Sequence, residues 1–322
     1  MIDLATDRTT GSVRERIESL MSAHPAAEAC AVIEHAYGVL PLLDTFFDAA
    51  TRQAISASCE LGSLGFFTPE PELGWGAAVD GEPAGGGVAL RGEVRLPSPA
   101  SDGSIVLVRL ADARHRLAWI EHRAHGVERC GSRSGGPAST PCWLHIEGAE
   151  IGEDFLSRAV TLAPGTDLFR CLANYASVWA LAAALAAHEG VRALRRAART
   201  TKFRGGSFSG WQPLALGLAE AEIEAELAAA SAFRYHALTP EERDEDDAQA
   251  LAVALGAARA LDVVVLRTAE LVDSFGLEVG GPLAGDLGRR SLTVFLGGAP
   301  QLEIELARVL DARELAGREE KR

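Results

Sequence analysis

Apolar residues along the first 60 positions recur with helical spacing. Val13, Ile17 and Leu20 start the pattern, and residues 31–43 and 51–59 continue it. Pro25 and Pro41 interrupt it and are expected to break the helices there. From about residue 64 the period shortens. Glycines at 74, 76, 81 and 85–87 punctuate short segments, and Val88–Leu96, Ser104–Leu110, Leu117–His122 and Trp143–Ile146 read as strands. Close-spaced short strands predict an antiparallel sandwich or barrel rather than a βαβ sheet. The cluster Gly131–Gly136 reads as an exposed hairpin loop.

Helical spacing returns after Gly165. Asp167–Ala198 and Trp211–His236 predict two long helices. Thr239-Pro240-Glu241-Glu242 carries a capping residue, a proline suited to the first helical position and a capping-box glutamate. The helix it starts is expected to reach Ser274, with Gly276 ending it, and residues 301–313 form a last short helix. Long helices joined by short loops predict an antiparallel bundle. The order is therefore α+β: a helical domain at 1–62, a β domain at 63–163 and a helical domain at 164–322.

Composition narrows the function classes. The net charge is -14 over 322 residues, with one acidic concentration at Glu241–Asp247, and phosphate backbones need a basic surface. No nucleic-acid partner is expected. Five widely spaced cysteines without a CxxC pair predict a reducing, cytoplasmic setting. Residues 1–16 are polar and mixed in charge, so no signal peptide is expected. The uncharged run Cys171–Ala187 is near the lower length limit for a membrane span and reads as a buried bundle helix.

General catalytic signatures are missing: there is no GxSxG, no P-loop and no GxGxxG between a strand and a helix. His122 and His125 form an HxxH, but on a strand they point to opposite faces, so no metal is expected. No helix follows Gly85–Gly87 to aim its N-terminus at an anion.

Several segments, in order, resemble the acyl-CoA dehydrogenase family. Thr68-Pro-Glu-Pro-Glu-Leu-Gly74 is similar to the Thr-Glu-Pro-x-x-Gly segment that lies along the flavin. Val88–Arg95 and Asp102–Val108 resemble the strands that follow. Thr201–Gln212 resembles the bundle segment that meets the cofactor, and Phe295–Gln301 stands where a Tyr-Glu-Gly-Thr segment precedes the final helix. The resemblance covers residues 40–315. It implies an acyl-CoA dehydrogenase-like fold: here a shortened N-terminal helical domain, a central β sandwich and a C-terminal antiparallel four-helix bundle. FAD would lie between sheet and bundle, with an acyl-CoA-type thioester as substrate.

The resemblance also shows what has changed. The family's glutamate position falls on Gly297, and its alternative position on the first bundle helix falls on or near Tyr175. Between Asp167 and Glu189 there is no carboxylate, so positioned proton abstraction has no base at either place. Tyr175 is either a core tyrosine or a residue with a chemical role. The pyrophosphate-contacting arginine falls on Thr201, with Lys202 or Arg204 able to supply the charge. The flavin-stacking aromatic falls near Leu96, and a small hydroxyl residue is replaced by Trp75. Gln212 and Gln301 match cofactor-contacting glutamines, or serve as helix caps. The cofactor candidates are thus Thr68, Gly74, Lys202, Arg204, Gln212 and Gln301.

A short first domain and an absent glutamate resemble the shorter subunits of heteromeric actinobacterial acyl-CoA dehydrogenases, which act on fatty or steroid side-chain thioesters. The expected partner is a homologous catalytic subunit, or further copies of the chain. A self-sufficient flavoenzyme with a displaced base, and a flavin-free scaffold reused for non-redox chemistry or binding, are the alternatives.

Overall fold

The computed structural model describes residues 12–23, 26–65, 75–96, 101–130, 142–203, 206–207, 211–239, 243, 246–275 and 298–319. Helices come first: α1 (Val13–Ala23), α2 (Ala26–Ile33), a π-helical turn (Glu34–Val39), α3 (Leu40–Phe46) and α4 (Ala49–Ser58). Asp48 caps α4 by accepting the Thr51 N–H at 2.8 Å.

Pro41 does not break the chain as expected. The backbone stays helical from α2 through the π turn into α3, and the Leu40 N–H bonds to the His35 carbonyl, five residues back. A π turn shifts the hydrogen-bond ladder by one place. Pro41 then sits in the first turn of α3, where a missing N–H is tolerated.

Eight strands follow: β1 (Gly62–Gly65), β2 (Val79–Ala84), β3 (Gly87–Leu96), β4 (Gly103–Leu110), β5 (His115–Glu121), β6 (Val127–Cys130), β7 (Cys142–Gly152) and β8 (Leu156–Val160). They form one sheet with the path β6-β7-β3-β2-β4-β5-β8. The pairing is not wholly antiparallel: β1 and β2 both run parallel to β4, one beside its first half and the other beside its second.

Alternation along β4 and β5 separates two cores. Ile105, Leu107, Leu117 and Trp119 face the helices. Val106, Val108, Ala118 and Ile120 meet the inward residues of β3 and β7 in a second core enclosed by strands. Gly103 lets the Trp119 ring lie against the backbone of β4, because any side chain there would collide with the indole.

The remaining helices are α5 (Asp167–Thr200), α6 (Gln212–His236), α7 (Asp247–Phe275) and α8 (Gly298–Glu319). Thr166 caps α5. Arg195–Glu222, His188–Glu226 and the His236–Ser177 carbonyl contact run α5 against α6 in opposite directions. Arg259–Glu303 and Arg313–Asp246 do the same for α7 and α8. Both α5 and α7 are long and apolar enough to cross a membrane; most of the apolar stretch of α5 is buried inside the fold.

Candidate functional site

The parallel pairing of β1 with β4 leaves alternate N–H groups of β1 pointing away from the sheet. An edge donor buried without a partner would be costly. The π turn supplies the partners. The Gly62 N–H donates to His35 Nδ1 at 3.0 Å, and the Leu64 N–H donates to Glu34 Oε1 at 2.7 Å. Gly38 allows the close approach, since a Cβ there would lie 2.9 Å from Leu64 Cδ1 and 3.4 Å from the Tyr175 ring. The π turn, β1 and α5 therefore meet at one point.

At that point Glu34 is fully buried, and its second carboxyl oxygen, Oε2, has no hydrogen-bond partner. No cation pairs with it among the described residues. Burial raises the carboxyl from its ordinary 4.5 to about 8, against the lowering effect of the Leu64 N–H. Glu34 is therefore a neutral acid at pH 7. One turn earlier, burial and then the Glu34 charge push the Cys30 thiol up to about 12. Tyr175, buried on α5, is raised well above its ordinary value by burial first, then by Glu34 and Cys30.

A second buried carboxyl lies on α8. Glu305 Oε1 accepts the Trp75 N–H at 2.7 Å and pairs with Arg308 at 2.9 Å, while Oε2 has no partner. Burial raises this carboxyl, against the lowering effects of the Trp75 N–H and Arg308. The Trp75 indole packs on Phe169 at 5.6 Å. Gln301, one turn before Glu305 on the same face, is buried with its Oε1 unpartnered.

A third polar group closes the end of the strand-enclosed core. His122 Nδ1 lies 2.8 Å from the Ser101 carbonyl, which can only accept, so that nitrogen carries the proton. Burial and Arg129 lower His122 to about 4, so the ring is neutral and Nε2 accepts the Ser104 hydroxyl at 2.7 Å. Ser63 then donates to Ser104 at 2.7 Å, and Ser101 donates to Ser63 at 3.0 Å. Every proton in this chain has one direction, so the network is structural. Ser104→Ala strands both His122 Nε2 and the Ser63 hydroxyl. It is expected to cost roughly 1–3 kcal/mol, read from urea midpoints at pH 7.

The cofactor candidates are dispersed. Thr68, Gly74 and Arg204 lie outside the described residues, as does Gly297. Lys202 is exposed on a two-stranded hairpin between α5 and α6, formed by Lys202–Phe203 and Gly206–Ser207. Gln212 is exposed at the start of α6, whereas Gln301 faces the interior. No hydrogen bond or ion pair joins these three. By its chemistry an exposed cation such as Lys202 suits a phosphate, and an unpartnered buried amide oxygen such as that of Gln301 suits a ring N–H. Leu96 faces the second core, where no flavin ring could stack on it.

Sequence reasoning missed Glu34, Glu305 and the serine–histidine chain. Glu34 had a signal: a lone acid following Cys30-Ala-Val-Ile33 on the apolar stripe of a helix.

No protein-family model and no curated protein matches this sequence. Solved structures do match its fold. The ChsE4-ChsE5 complex from Mycobacterium tuberculosis aligns with a TM-score of 0.69 at 16% identity, over 93% of this chain and 80% of that one. A glutaryl-CoA dehydrogenase from Mycobacterium smegmatis in complex with FADH2 aligns at 0.68 and 14%, over 93% and 80%. Butyryl-CoA dehydrogenase from Megasphaera elsdenii gives 0.68 and 14%, over 94% and 82%. At these identities the likeness is one of fold: the chain has an α+β, acyl-CoA dehydrogenase-like fold.

Proposed function

We propose that this chain, built on the acyl-CoA dehydrogenase-like fold, is a subunit of an FAD-dependent oxidoreductase of acyl-CoA-type thioesters. Its partner is a homologous catalytic subunit. The observation that carries the reading is the wall formed by α5. Tyr175 stands buried where a catalytic carboxylate is expected, and no acidic residue lies between Asp167 and Glu189. Gly297 has no side chain with which to take a proton. One solved protein of the same fold is a complex of two named components, ChsE4 and ChsE5, in keeping with a paired assembly.

FAD, when bound, supplies the hydride acceptor. Lys202, Arg204 and Gln212 are the residues of this chain that would hold its phosphates, with Thr68 and Gly74 along the ring system and Gln301 offering an amide oxygen. The apolar surface of α5 and the helices around the π turn would exclude water from the acyl group.

Co-expression with a homologue encoded by a neighbouring gene is expected to yield a yellow complex near 1:1. The chain purified alone should hold little flavin. The measurement is an absorption spectrum with sedimentation analysis, and a colourless, self-contained homodimer unaffected by the homologue would refute the reading.

A further inference from the structure

We propose that two copies of this chain pair antiparallel along the outward face of α6, with Ile223 and Leu227 at the centre of the contact. Such a pair needs no second gene product, so it goes beyond the paired-subunit reading above.

A helix on the outside of a fold ordinarily turns its bulky apolar side chains inward and its polar ones to water. On α6 the sizes are reversed. Between Leu218 and Tyr235 every buried residue is an alanine: Ala221, Ala225, Ala228, Ala229 and Ala232. Leu216, Ile223 and Leu227 instead stand 64%, 59% and 62% exposed. Their spacings of seven and four residues put them on one line along the helix. Leu266 of α7, also exposed, adjoins that line, because the next residue, Arg267, pairs with Glu220 between Leu216 and Ile223. Among the described residues the other exposed large apolar side chains are Leu310 and Leu315, near the end of α8. The four on α6 and α7 thus form one patch rather than scattered single residues.

Charges on the same line decide what covers it. Glu220 lies one turn after Leu216, and Arg234 lies seven residues after Leu227; both are exposed. Arg234 makes no ion pair among the described residues. The line therefore runs from an acid to a base with apolar residues between. A two-fold contact requires a surface complementary to itself. With the axis between Ile223 and Leu227, Ile223 of each copy meets Leu227 of the other. Leu216 and Glu220 then come alongside the other copy's Arg234, whose aliphatic stem can cover the leucine while its guanidinium reaches the carboxylate. Parallel copies would instead set Glu220 on Glu220 and Arg234 on Arg234. Exposed Ala219 and Ala230 leave room on this face for the two backbones to approach. From Leu216 to Arg234 the line is about 27 Å long. Leu266 and α7 widen it toward the roughly 800 Å² per partner that a stable interface buries.

The test is sedimentation equilibrium of the chain purified alone, at micromolar concentrations, where a dimer is expected. Ile223→Glu/Leu227→Glu should sediment as a monomer with the circular dichroism of the wild type, since both side chains already face water. Glu220→Arg and Arg234→Glu should each weaken the dimer about 5–30-fold, and combining them should recover most of the loss. A monomeric wild type, a dimer unmoved by the double glutamate variant, or charge swaps that do not compensate would each overturn the proposal. So would a monomeric chain that forms a yellow heterodimer with the homologue and loses it in Ile223→Glu/Leu227→Glu; that result assigns the face to the homologue and leaves the paired-subunit reading intact. Conversely, a colourless dimer whose charge swaps compensate but which ignores the homologue would support this contact and remove the paired-subunit reading.

Discussion

Between pH 6.5 and about 8 the folded chain is expected to lose roughly 2 kcal/mol of stability as pH rises, and Glu34→Gln is expected to remove most of that loss. In the unfolded chain Glu34 ionises near its ordinary 4.5; in the folded chain it keeps its proton up to about 8. Between those values the unfolded state holds fewer protons, so rising pH favours unfolding. The full effect of this one group is roughly 5 kcal/mol, reached only when pH passes the folded value.

His122 acts with the opposite sign. Its ring is held neutral down to about 4, whereas the unfolded ring takes a proton near 6.5. Stability therefore rises by roughly 3 kcal/mol as pH climbs through that window. Between 4.5 and 6.5 the two slopes nearly cancel, from 6.5 to about 8 the Glu34 slope dominates, and above that the raised Cys30 and Cys59 thiols add their own loss. Wild type should show a plateau and then a fall. A His122→Gln variant should fall from about pH 4.5 onward, and Glu34→Gln should rise and then stay flat to about pH 8. Asp247 and Glu305, both raised by burial, add smaller losses below neutrality. Urea midpoints from pH 4 to 9 provide the measurement. An unchanged alkaline fall in Glu34→Gln would show that the carboxyl is solvated or paired.

The same buried groups mark where the sequence could be read and where it could not. β4 was legible because Ile105–Val108 is an apolar run, three of its four residues β-branched, buried on both faces, and the span of α5 followed from its helical spacing of apolar residues. β1 and β2 were not. Gly-Ser-Leu-Gly has no strand former except by context, and Val79–Ala84 contains a glycine and a proline. β1 earns its strand conformation by pairing with β4, far along the chain, and β2 by pairing with β3 across a tight turn and with β4 at its start. Pro41 read as a breaker because a local rule cannot anticipate a π turn. Tyr175 could be placed by resemblance alone, but the carboxyl beside it belongs to a helix about 140 residues earlier, and only the fold brings the two together.

Trp75→Ala is expected to cost about 3–5 kcal/mol, more than any other single truncation proposed here. The indole is 2% exposed and packs on Phe169 at the start of α5, so its removal leaves a cavity that the backbone cannot readily collapse around. Its backbone N–H is held by Glu305 on α8, which ties the chain just before β2 to the last helix across 230 residues. Glu305→Ala breaks that tie differently: it leaves the Trp75 N–H buried without an acceptor and Arg308 without its carboxylate, for roughly 2–3 kcal/mol. Glu305→Gln keeps the acceptor and should cost less than Glu305→Ala. Because the ring and the carboxyl secure one junction, the double variant Trp75→Ala/Glu305→Ala should lose at least 0.5 kcal/mol less than the sum of the single losses. Urea unfolding of the four proteins at pH 7, followed by tryptophan fluorescence and circular dichroism together, tests this. Strict additivity would mean that the Phe169 stack and the Glu305 tie hold the junction independently.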